Sequence, residues 1–532
     1  MKFLAILSCL LGMASLAVAA DSRPNILLVM VDDMGYSDIG CYGGEIRTPT
    51  LDTLAENGVR LARFYNGAQC CPSRAALMTG LYPHQAGMGD MNEQGPDNEF
   101  WKRVGSPAYL GFKTRGIVTL PEALRVAGYQ TFMAGKWHLG RTSDNWPHAR
   151  GFDRCFALIG GACDHFTGFR SWQNQGPISL FVENTQKVDQ LPPNFYSTDT
   201  FTDYALKFIE EADQSRPWFG YLAYTAPHWP IQAHAADIAK YEAVYNDPPE
   251  VIRQRRFQRL QQLGLIPQTA RLPELDATVT KEAQAAKKAT RDRWMRTYAA
   301  MIDRVDQNLK RIVELLRKKG QLDHTLILFL SDNGADTVRG PLWGQVSNTP
   351  FRKFKVWVHD GGIASPLIAH WPAGIPPAQQ DKILPRASHI IDLYPTCLDA
   401  AGATHPLEWN GQRVLPVEGQ SLLPLFRGLK PIPGDRVLCW ERMGNEAVRQ
   451  GDWKLVRGYG VAKEDGDIAS DGPRRGSWEL YRVDLDPGET NDLAATEPER
   501  VQAMARLYEN WAQRVGVVPR EMILEKTRSK KP

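Results

Sequence analysis

The sequence predicts an α/β fold that is followed by a small α+β module. Runs typical of buried strands alternate with amphipathic helix patterns through most of the 532 residues, and this alternation is typical of α/β proteins. From residue 436 onward the pattern changes to several short strands and one helix. Hydrophobic residues make up 43% of the chain and charged residues 23%, which are ordinary proportions for a soluble globular protein.

The first strands and helices have clear local signals. Asn25–Val31 is a continuous apolar run, as expected for a strand that is buried on both faces. Residues 50–58 have a short helical pattern that ends in glycine. Thr119 and Glu122 have the spacing of a capping box and predict the start of another helix. Residues 129–134 follow that helix as a predicted strand.

The middle of the chain predicts two more strands and a long helix. Residues 218–224 and 325–330 have strand patterns, and residues 292–319 carry apolar side chains on one helical face. Residues 232–290 are more polar, and we interpret them as an insertion of surface helices and loops. Its arginines, which we interpret mainly as part of a solvated face, are Arg253, Arg255, Arg256 and Arg259.

The end of the chain has a different organisation. Short strands are predicted at residues 437–440, 447–449, 453–456 and 478–481. A turn at residues 451–452 joins two of them, and a closing helix is predicted near residues 497–515. We therefore divide the chain into a main domain at residues 21–430 and a small subdomain of an antiparallel sheet and a helix at residues 431–532.

Residues 1–20 have the pattern of a secretory signal peptide. Lys2 supplies a positive charge, residues 3–18 are apolar, and residues 17–20 are small. The apolar run is short for a transmembrane helix, and we expect no stable membrane insertion. The pattern predicts an exported protein, periplasmic or secreted. The net charge of +3 at pH 7 gives no reason to expect binding to nucleic acid.

The cysteine count also needs an explanation. The chain has eight cysteines, and Cys9 lies in the predicted signal peptide, which leaves seven. An odd number is unusual in an exported protein, and conversion of one cysteine to another group would leave six. Cys155 and Cys163 are close enough in sequence to pair, but the pattern leaves the connectivity open.

Four of the predicted strands end in polar residues. In open α/β sheets, ligands bind beyond the carboxyl ends of the strands. If the four strands are parallel, their terminal residues meet on one rim of the sheet. These residues are Asp32 and Asp33, Lys136 and His138, His228, and Asp332 and Asn333.

Two of these groups offer only oxygen ligands. Asp32, Asp33, Asp332 and Asn333 suit a hard cation better than zinc. Carboxylates that crowd one rim also repel each other unless a cation neutralises them. The sequence therefore predicts one divalent cation, with Ca²⁺ preferred over Mg²⁺. The alternative is that these residues only form turns and caps after strands.

A short motif lies between the first two predicted strand ends. Residues 70–74 read Cys-Cys-Pro-Ser-Arg and contain the pattern Cys-x-Pro-Ser-Arg. In this pattern the sequence resembles the type I sulfatases, and among them the bacterial arylsulfatases. The resemblance extends over essentially the whole mature chain and is best supported at residues 24–140 and 325–372. Arg74 lies four residues after Cys70, so both side chains can face the same side of a helix.

The resemblance implies a chemical modification at Cys70. In the family, a formylglycine-generating maturation enzyme oxidises this cysteine to formylglycine, an aldehyde whose hydrate carries two hydroxyls. The resemblance also implies an alkaline-phosphatase-like fold, in which a mixed sheet is sandwiched by helices and a smaller C-terminal module follows. Residues 21–430 are then the catalytic sulfatase domain.

Further motifs extend the resemblance around Cys70. Lys136 and His138 belong to a Gly-Lys-Trp-His sequence, His228 follows a proline, and Lys355 precedes an acidic-Gly-Gly turn. The resemblance implies catalytic or substrate-binding roles for all of them. It also implies that the oxygen ligands named above hold the divalent cation.

The implied mechanism passes through a covalent intermediate. One hydroxyl of the hydrated formylglycine attacks sulfur, while the metal and Arg74 lower its proton affinity and Asp332 acts as the base. A hemiacetal sulfate results, and His138 then takes the proton of the second hydroxyl so that sulfate leaves. The remaining groups bind the reacting atoms: Lys136 steadies the second hydroxyl, and Lys355 and His228 hold the sulfate and the leaving oxygen.

The resemblance therefore predicts a sulfuric ester hydrolase. Its substrate would be a small-molecule or glycan sulfate monoester, an aryl sulfate or a sulfated carbohydrate, cleaved to an alcohol and inorganic sulfate. One alternative is a phosphonate monoester or phosphodiester hydrolase of the same superfamily. Another is a non-catalytic binder of sulfated glycans, which gains support only if Cys70 stays a thiol.

Overall fold

The computed structural model describes residues 23–169, 179–275, 288–338, 340–429, 435–459 and 475–527. The predicted signal peptide and the predicted boundary between residues 430 and 431 lie outside these ranges. Within the described ranges, no helix is both long enough and apolar enough to cross a bilayer.

A sheet of eleven strands forms the centre of the protein. Its strands are β1 (Asn25–Val31), β2 (Val59–Tyr65), β3 (Gln130–Lys136), β4 (Arg154–Leu158), β5 (Phe181–Glu183), β6 (Gln186–Lys187), β7 (Trp218–Ala223), β8 (Thr325–Ser331), β9 (Ala364–His370), β10 (Lys382–Leu384) and β11 (Ser388–His389). They lie in the order β10-β2-β9-β8-β1-β7-β3-β4-β5-β6, and β11 pairs separately with β2.

The sheet is mixed, with a parallel centre. Strands β8, β1, β7, β3 and β4 are neighbours and run parallel, whereas β9 runs antiparallel to β8 and to β2. Leu27 and Val29 of β1 pack into one hydrophobic core, and Ile26, Leu28 and Met30 pack into the other. The continuous apolar run of β1 is thus explained by burial on both faces.

Helices cover both faces of this sheet. They are Pro49–Glu56, Cys70–Thr79, Glu99–Val104, Leu120–Val126, Ser197–Glu210, Ala235–Ala239, Pro249–Leu263, Lys288–Lys318, Pro341–Ser347, Asp360–Ile363, Leu393–Ala400 and Leu423–Phe426. The Lys288–Lys318 helix contributes to one core and the Cys70–Thr79 helix to the other. The predicted capping box is confirmed, because Thr119 and Glu122 exchange side-chain and backbone hydrogen bonds.

A second sheet follows near the end of the chain. After a hairpin of β12 (Glu408–Trp409) and β13 (Gln412–Arg413), the antiparallel strands are β14 (Val437–Arg442), β15 (Asn445–Gln450), β16 (Trp453–Arg457) and β17 (Glu479–Arg482). The helix Pro498–Val515 packs on β14, β15 and β16, and a last helix spans Arg520–Thr527. The predicted short strands and closing helix are therefore confirmed.

Buried charges join this second sheet to the main domain. Lys454 of β16 forms ion pairs with Asp360 and with Glu489, the latter at 2.8 Å. Asp360 also accepts a hydrogen bond from the Tyr65 hydroxyl at 3.1 Å, and that hydroxyl accepts one from Arg449. All five side chains are buried. We call these five residues the docking cluster.

The arginines of the polar insertion differ from their prediction as a solvated face. Arg255 and Arg259 are exposed, but Arg253 and Arg256 are buried. Arg256 forms ion pairs with Asp38 at 2.7 Å and with Glu45 at 2.6 Å. These two carboxylates offset the cost of burying the guanidinium of Arg256, so this part of the insertion belongs to the interior.

The suggested pairing of Cys155 with Cys163 is wrong. Both thiols are free, because Cys155 lies in the core on one face of the sheet and Cys163 in the core on the other. The five other cysteines of the described chain are also free and buried.

Candidate active site

The four predicted strand ends lie side by side. The parallel neighbours β8, β1, β7 and β3 place Asp332, Asp32, His228 and Lys136 on one rim of the sheet. Their order in space explains why residues separated by as many as 300 positions in the chain are in contact. The rim is the carboxyl end of the parallel strands, where α/β proteins bind ligands.

Two aspartates and an asparagine contact each other at the end of β1. Asn333 Nδ2 donates to Asp33 Oδ1 at 2.6 Å, and the backbone N–H of Asp33 donates to Asp332 Oδ1 at 3.3 Å. Asp33 has a left-handed backbone conformation with φ of 64°. One ligand atom each from Asp32, Asp33, Cys70 and His228 lies within 4.8 Å of all the others.

These residues fit a hard divalent cation. The carboxylates of Asp32, Asp33 and Asp332 and the amide of Asn333 are oxygen donors of the kind that Ca²⁺ and Mg²⁺ prefer. Asn333 Oδ1 is buried and accepts no hydrogen bond within the described part of the chain. A buried carbonyl oxygen without a partner is unfavourable, and a bound cation would satisfy it.

The Cys70–Thr79 helix presents the motif cysteine to this rim. Cys70 is its first residue, every residue of the helix is buried, and Gly80 in a left-handed conformation ends it. Cys70 Sγ lies 3.5 Å from Asp32 Oδ1. Burial raises the pKa of the Cys70 thiol to about 12. Arg74, one turn later, donates from Nε at 3.2 Å and from NH2 at 2.8 Å to Asp332 Oδ2.

Two lysines hold the carboxylates from opposite sides. Lys136 Nζ donates to Asp32 Oδ2 at 2.6 Å, and Lys355 Nζ donates to Asp33 Oδ2 at 2.8 Å. Although burial opposes it, Asp32 keeps the pKa of Lys136 above its usual value, and Asp33 does the same for Lys355. Both lysines are therefore cationic. We call Asp32, Asp33, Asp332, Arg74, Lys136 and Lys355 the rim cluster.

The two predicted histidines contact different carboxylates. His228 Nε2 is 3.5 Å from Asp33 Oδ2, and its Nδ1 lies 2.6 Å from the carbonyl of Trp229. His138 Nε2 lies 2.6 Å from Glu93 Oε1. Burial lowers the pKa of His228 to about 3 and that of His138 to about 4.

A cavity of about 290 Å³ opens beside Cys70. Its walls include His138, His228 and Lys355, together with Glu93 and Arg141. A larger groove of about 580 Å³ lies elsewhere, between the Pro49–Glu56 and Lys288–Lys318 helices. The smaller cavity is the one that the reactive groups face.

The sequence does not identify Glu93 and Arg141 as residues of the site. Glu93 contacts His138 through Oε1, and Arg141 Nε donates to Glu93 Oε2 at 2.8 Å. The segment around Glu93 has no helical or strand periodicity and belongs to no motif. The one available signal is that Arg141 lies three residues after His138.

Comparison with known proteins identifies the family. A model of the sulfatase family matches residues 24–403. An uncharacterized sulfatase from Schizosaccharomyces pombe is 33% identical over 97% of this chain and 98% of that protein. An arylsulfatase from Klebsiella aerogenes is 32% identical over 76% of this chain and 92% of that protein.

A solved structure supports the same family and fold. The crystal structure of Ps i-CgsB in complex with k-i-k-neocarrahexaose has 26% sequence identity and a TM-score of 0.70, covering 96% of this chain and 98% of that chain. The predicted alkaline-phosphatase-like mixed sheet between helices, with a C-terminal antiparallel module, is thus confirmed. This chain belongs to the sulfatase family and is an arylsulfatase-like hydrolase of sulfate esters.

Proposed function

We propose that this sulfatase acts through formylglycine formed at Cys70 and cleaves the sulfate monoester of an aryl or sugar alcohol. The observation that carries the proposal is the position of the Cys70 side chain, within 4.8 Å of ligand atoms of Asp32, Asp33 and His228 and on the wall of the cavity. Hydrated formylglycine supplies one hydroxyl that attacks sulfur and a second whose deprotonation releases sulfate.

We propose Ca²⁺ as the cation, held by Asp32, Asp33, Asp332 and Asn333. The carboxylate-rich, all-oxygen donor set supports this choice. When bound, the cation supplies Lewis acidity that lowers the proton affinity of a nearby hydroxyl and offsets the charge of a sulfate oxygen.

Arg74 and Asp332 act on the attacking hydroxyl. Asp332 is the base that takes its proton, and Arg74 holds the carboxylate with two hydrogen bonds to a single oxygen. Two charge-assisted hydrogen bonds hold this oxygen in place. The proton therefore has an acceptor at a defined place before substrate binds.

The basic groups around the cavity bind the sulfate and the leaving group. Lys136 orients the second hydroxyl, and Lys355 and His228 contact the sulfate and the oxygen that leaves. One of these last two groups donates the proton to the leaving oxygen. His138 takes the proton of the second hydroxyl in the step that releases sulfate.

Mass spectrometry and activity assays test the proposal together. The peptide that contains Cys70 should have the mass of formylglycine in active enzyme, and Cys70→Ala should lower kcat/KM for an aryl sulfate by about 10⁴-fold or more. Cys71→Ala is the matched control, because Cys71 packs in the core on one face of the sheet and should stay active. A thiol at Cys70 in fully active enzyme would overturn the proposal.

The substrate class is decided by parallel assays. One relative is named an arylsulfatase, and a human relative with 28% identity is named N-acetylgalactosamine-6-sulfatase. The first arm of the assay therefore contains an aryl sulfate and a sugar sulfate. An aryl phosphodiester and a phosphonate monoester form the second arm. Higher kcat/KM on that arm would favour the alternative hydrolase, and tight glycan binding without turnover would favour a binding protein.

Export is proposed from the sequence of residues 1–20. Expression of the full chain in a bacterial host should place the protein in the periplasm or the medium, with a mature N-terminus after the small residues at 17–20. A cytoplasmic protein that retains residues 1–20 would contradict this.

A further inference from the structure

Glu93 is a carboxylate that stands between the cavity histidine and an arginine. Its Oε1 lies 2.6 Å from His138 Nε2, and its Oε2 lies 2.6 Å from Arg141 NH2. The side chain of His138 is 2% exposed and that of Glu93 is 18% exposed. Glu93 therefore connects a buried imidazole to a guanidinium on the cavity wall.

The hydrogen bond to Glu93 decides which nitrogen of His138 carries the proton. Burial lowers the pKa of His138 to about 4, so the ring is neutral at pH 7 and has one N–H. Against the effect of burial, His138 and Arg141 lower the pKa of Glu93 to about 2, and an ionised carboxylate only accepts hydrogen bonds. The proton is then on Nε2, and Nδ1 keeps its lone pair.

His138 Nδ1 is left available by the same arrangement. It is buried and has no hydrogen-bond partner among the described residues. The backbone of His138 has a left-handed conformation, with φ of 59°. Its N–H donates to the carbonyl of Ile159 at 3.2 Å, which holds the residue in place. The imidazole ring packs against Gly161, where a Cβ would lie 2.5 Å from His138 Cε1 and would clash with the ring. Position and tautomer of the ring are thus both fixed.

We propose that Glu93 is a positioning residue that keeps His138 in the Nε2–H tautomer, so that Nδ1 can accept the proton that releases sulfate. The proposal rests on the proposed function of Cys70. In this step the second hydroxyl gives its proton to Nδ1, and the electrons of that O–H bond form the second bond of the aldehyde carbonyl. The carbon–oxygen bond to sulfate breaks, its electron pair leaves with sulfate, and nothing is oxidised or reduced.

Arg141 makes a sharp test possible. In Glu93→Gln, the amide oxygen should face the guanidinium of Arg141, because the amide nitrogen would place donor against donor. The amide nitrogen then faces His138 Nε2, which must accept, and the ring proton moves to Nδ1. In Glu93→Gln/Arg141→Met the amide is free to turn its oxygen toward His138 and restore the first tautomer.

The tautomer itself is measured by ¹⁵N NMR of histidine-labelled protein in its thiol form. The resonances of His138 are identified by their loss in His138→Gln. We expect an unprotonated Nδ1 in the wild type, a protonated Nδ1 in Glu93→Gln, and the wild-type pattern in the double variant. A wild-type proton on Nδ1, or no change in Glu93→Gln, would overturn the role of Glu93.

Kinetics of the modified enzyme test the consequence. Glu93→Gln should still release about one phenol per active site in the first turnover, because the attack on sulfur does not use His138. Its steady-state rate should fall by about 10²- to 10⁴-fold, the usual contribution of a general base, because the base is held in the wrong tautomer. Adding Arg141→Met should raise that rate by about 10-fold, an ordinary coupling between contacting residues. A double variant slower than Glu93→Gln would contradict the proposal.

Substitutions at two neighbouring glycines distinguish displacement of the His138 ring from a general loss of structure. Gly161→Ala should displace His138 and lower the steady-state rate while the first turnover remains. Gly160→Ala is the matched control, because its added Cβ would meet only Arg141, at an ordinary 3.7 Å. Absence of formylglycine in the wild type would overturn the function proposed for Cys70 and the proton transfer to Nδ1. The tautomer set by Glu93 would still be tested, since the NMR experiment uses the thiol form. Equal rates in both glycine variants would contradict the fixed position of the ring.

Discussion

The rim cluster and the docking cluster bury similar charged groups but satisfy them differently. In the docking cluster, Lys454 bridges Asp360 and Glu489, and each of these residues is at most 1% exposed. In the rim cluster, Lys355 has a side chain that is 15% exposed beside a cavity. Asn333, which contacts the rim cluster, keeps a buried oxygen that has no partner among the described residues.

The difference indicates what each cluster does. A buried ion pair that is fully enclosed by protein holds two parts of the chain in one arrangement, and removing one partner is strongly destabilising. A cluster that faces a cavity can exchange its internal ion pairs for contacts with a ligand. Substitutions in the docking cluster should therefore lower mainly the stability of the fold, and substitutions in the rim cluster should lower mainly the turnover rate.

Among substitutions in the two clusters, the largest effect is expected for Lys355→Met. Loss of an ammonium group that is proposed to contact the transferred sulfate should lower kcat by about 10³-fold, as for other charge-stabilising donors. The melting temperature in saturating Ca²⁺ should change by only a few degrees, because Ca²⁺ at the proposed site would still neutralise Asp33. An aryl sulfate assay and a thermal melt check the two parts. Loss of folding together with activity would remove the distinction between the clusters.

Lys454→Met is the reciprocal test. It leaves Asp360 and Glu489 buried without their cation, which should lower the free energy of unfolding by about 3–5 kcal/mol. The kcat of the folded enzyme should change little, because Lys454 contacts none of the rim cluster. Urea unfolding measures the first quantity.

A surface lysine provides the control for that substitution. Lys310 pairs with Glu314 at 3.6 Å, and both side chains are more than half exposed. Lys310→Met should lower the free energy of unfolding by less than about 1 kcal/mol. Equal effects of the two lysine substitutions would show that the docking cluster is not a structural element of the kind described above.

A smaller effect is expected from Asn333→Ala. In the wild type, Ca²⁺ at 100 times its dissociation constant should stabilise the protein by about 2.7 kcal/mol, and a chelator should reverse this. Asn333→Ala should reduce the response because it removes one oxygen of the proposed donor set. Asn92→Ala is the control, since Asn92 is also buried and its Oδ1 has no partner within the described ranges, but it lies outside the rim. An undiminished response in Asn333→Ala would contradict the cation site.

Much of the fold and most of the rim could be predicted from the sequence. Continuous apolar runs such as Asn25–Val31 report burial on both faces, and the polar residues that follow each run report where the strand ends. Once the strands are parallel neighbours, the positions of Asp32 and Asp332 follow without further information. Local patterns therefore determined the main features of the site.

Contacts over long sequence distances could not be predicted in the same way. Arg256 is buried because Asp38 and Glu45, more than 200 residues earlier, accept its hydrogen bonds. Glu93 contacts His138 across 45 residues from a segment without periodicity. A charged side chain has the same local pattern on a solvated face and in a buried pair, so only the tertiary structure distinguishes them.

The smallest predicted effect concerns acid sensitivity near the docking cluster. His389 packs between Tyr82 and Trp440 of β14, and burial, with the charge of Arg436, lowers its pKa to about 3. The unfolded chain binds this proton near pH 6.5. Because the folded pKa is the lower one, this histidine contributes stability that is present above pH 6.5. That stability is lost as the pH falls toward 3.

His389→Asn should make the pH dependence shallower. Asn does not titrate, and its side-chain oxygen can replace His389 Nδ1, which accepts the backbone N–H of Ile391 at 3.3 Å. Between pH 6 and 4, the free energy of unfolding of the variant should fall less steeply than that of the wild type. The difference should reach about 1.4 kcal/mol per pH unit. If the free energies of unfolding of the two proteins, measured by urea titration, fell in parallel over this range, His389 would not take up a proton on unfolding. The acid sensitivity of the fold would then come from other groups.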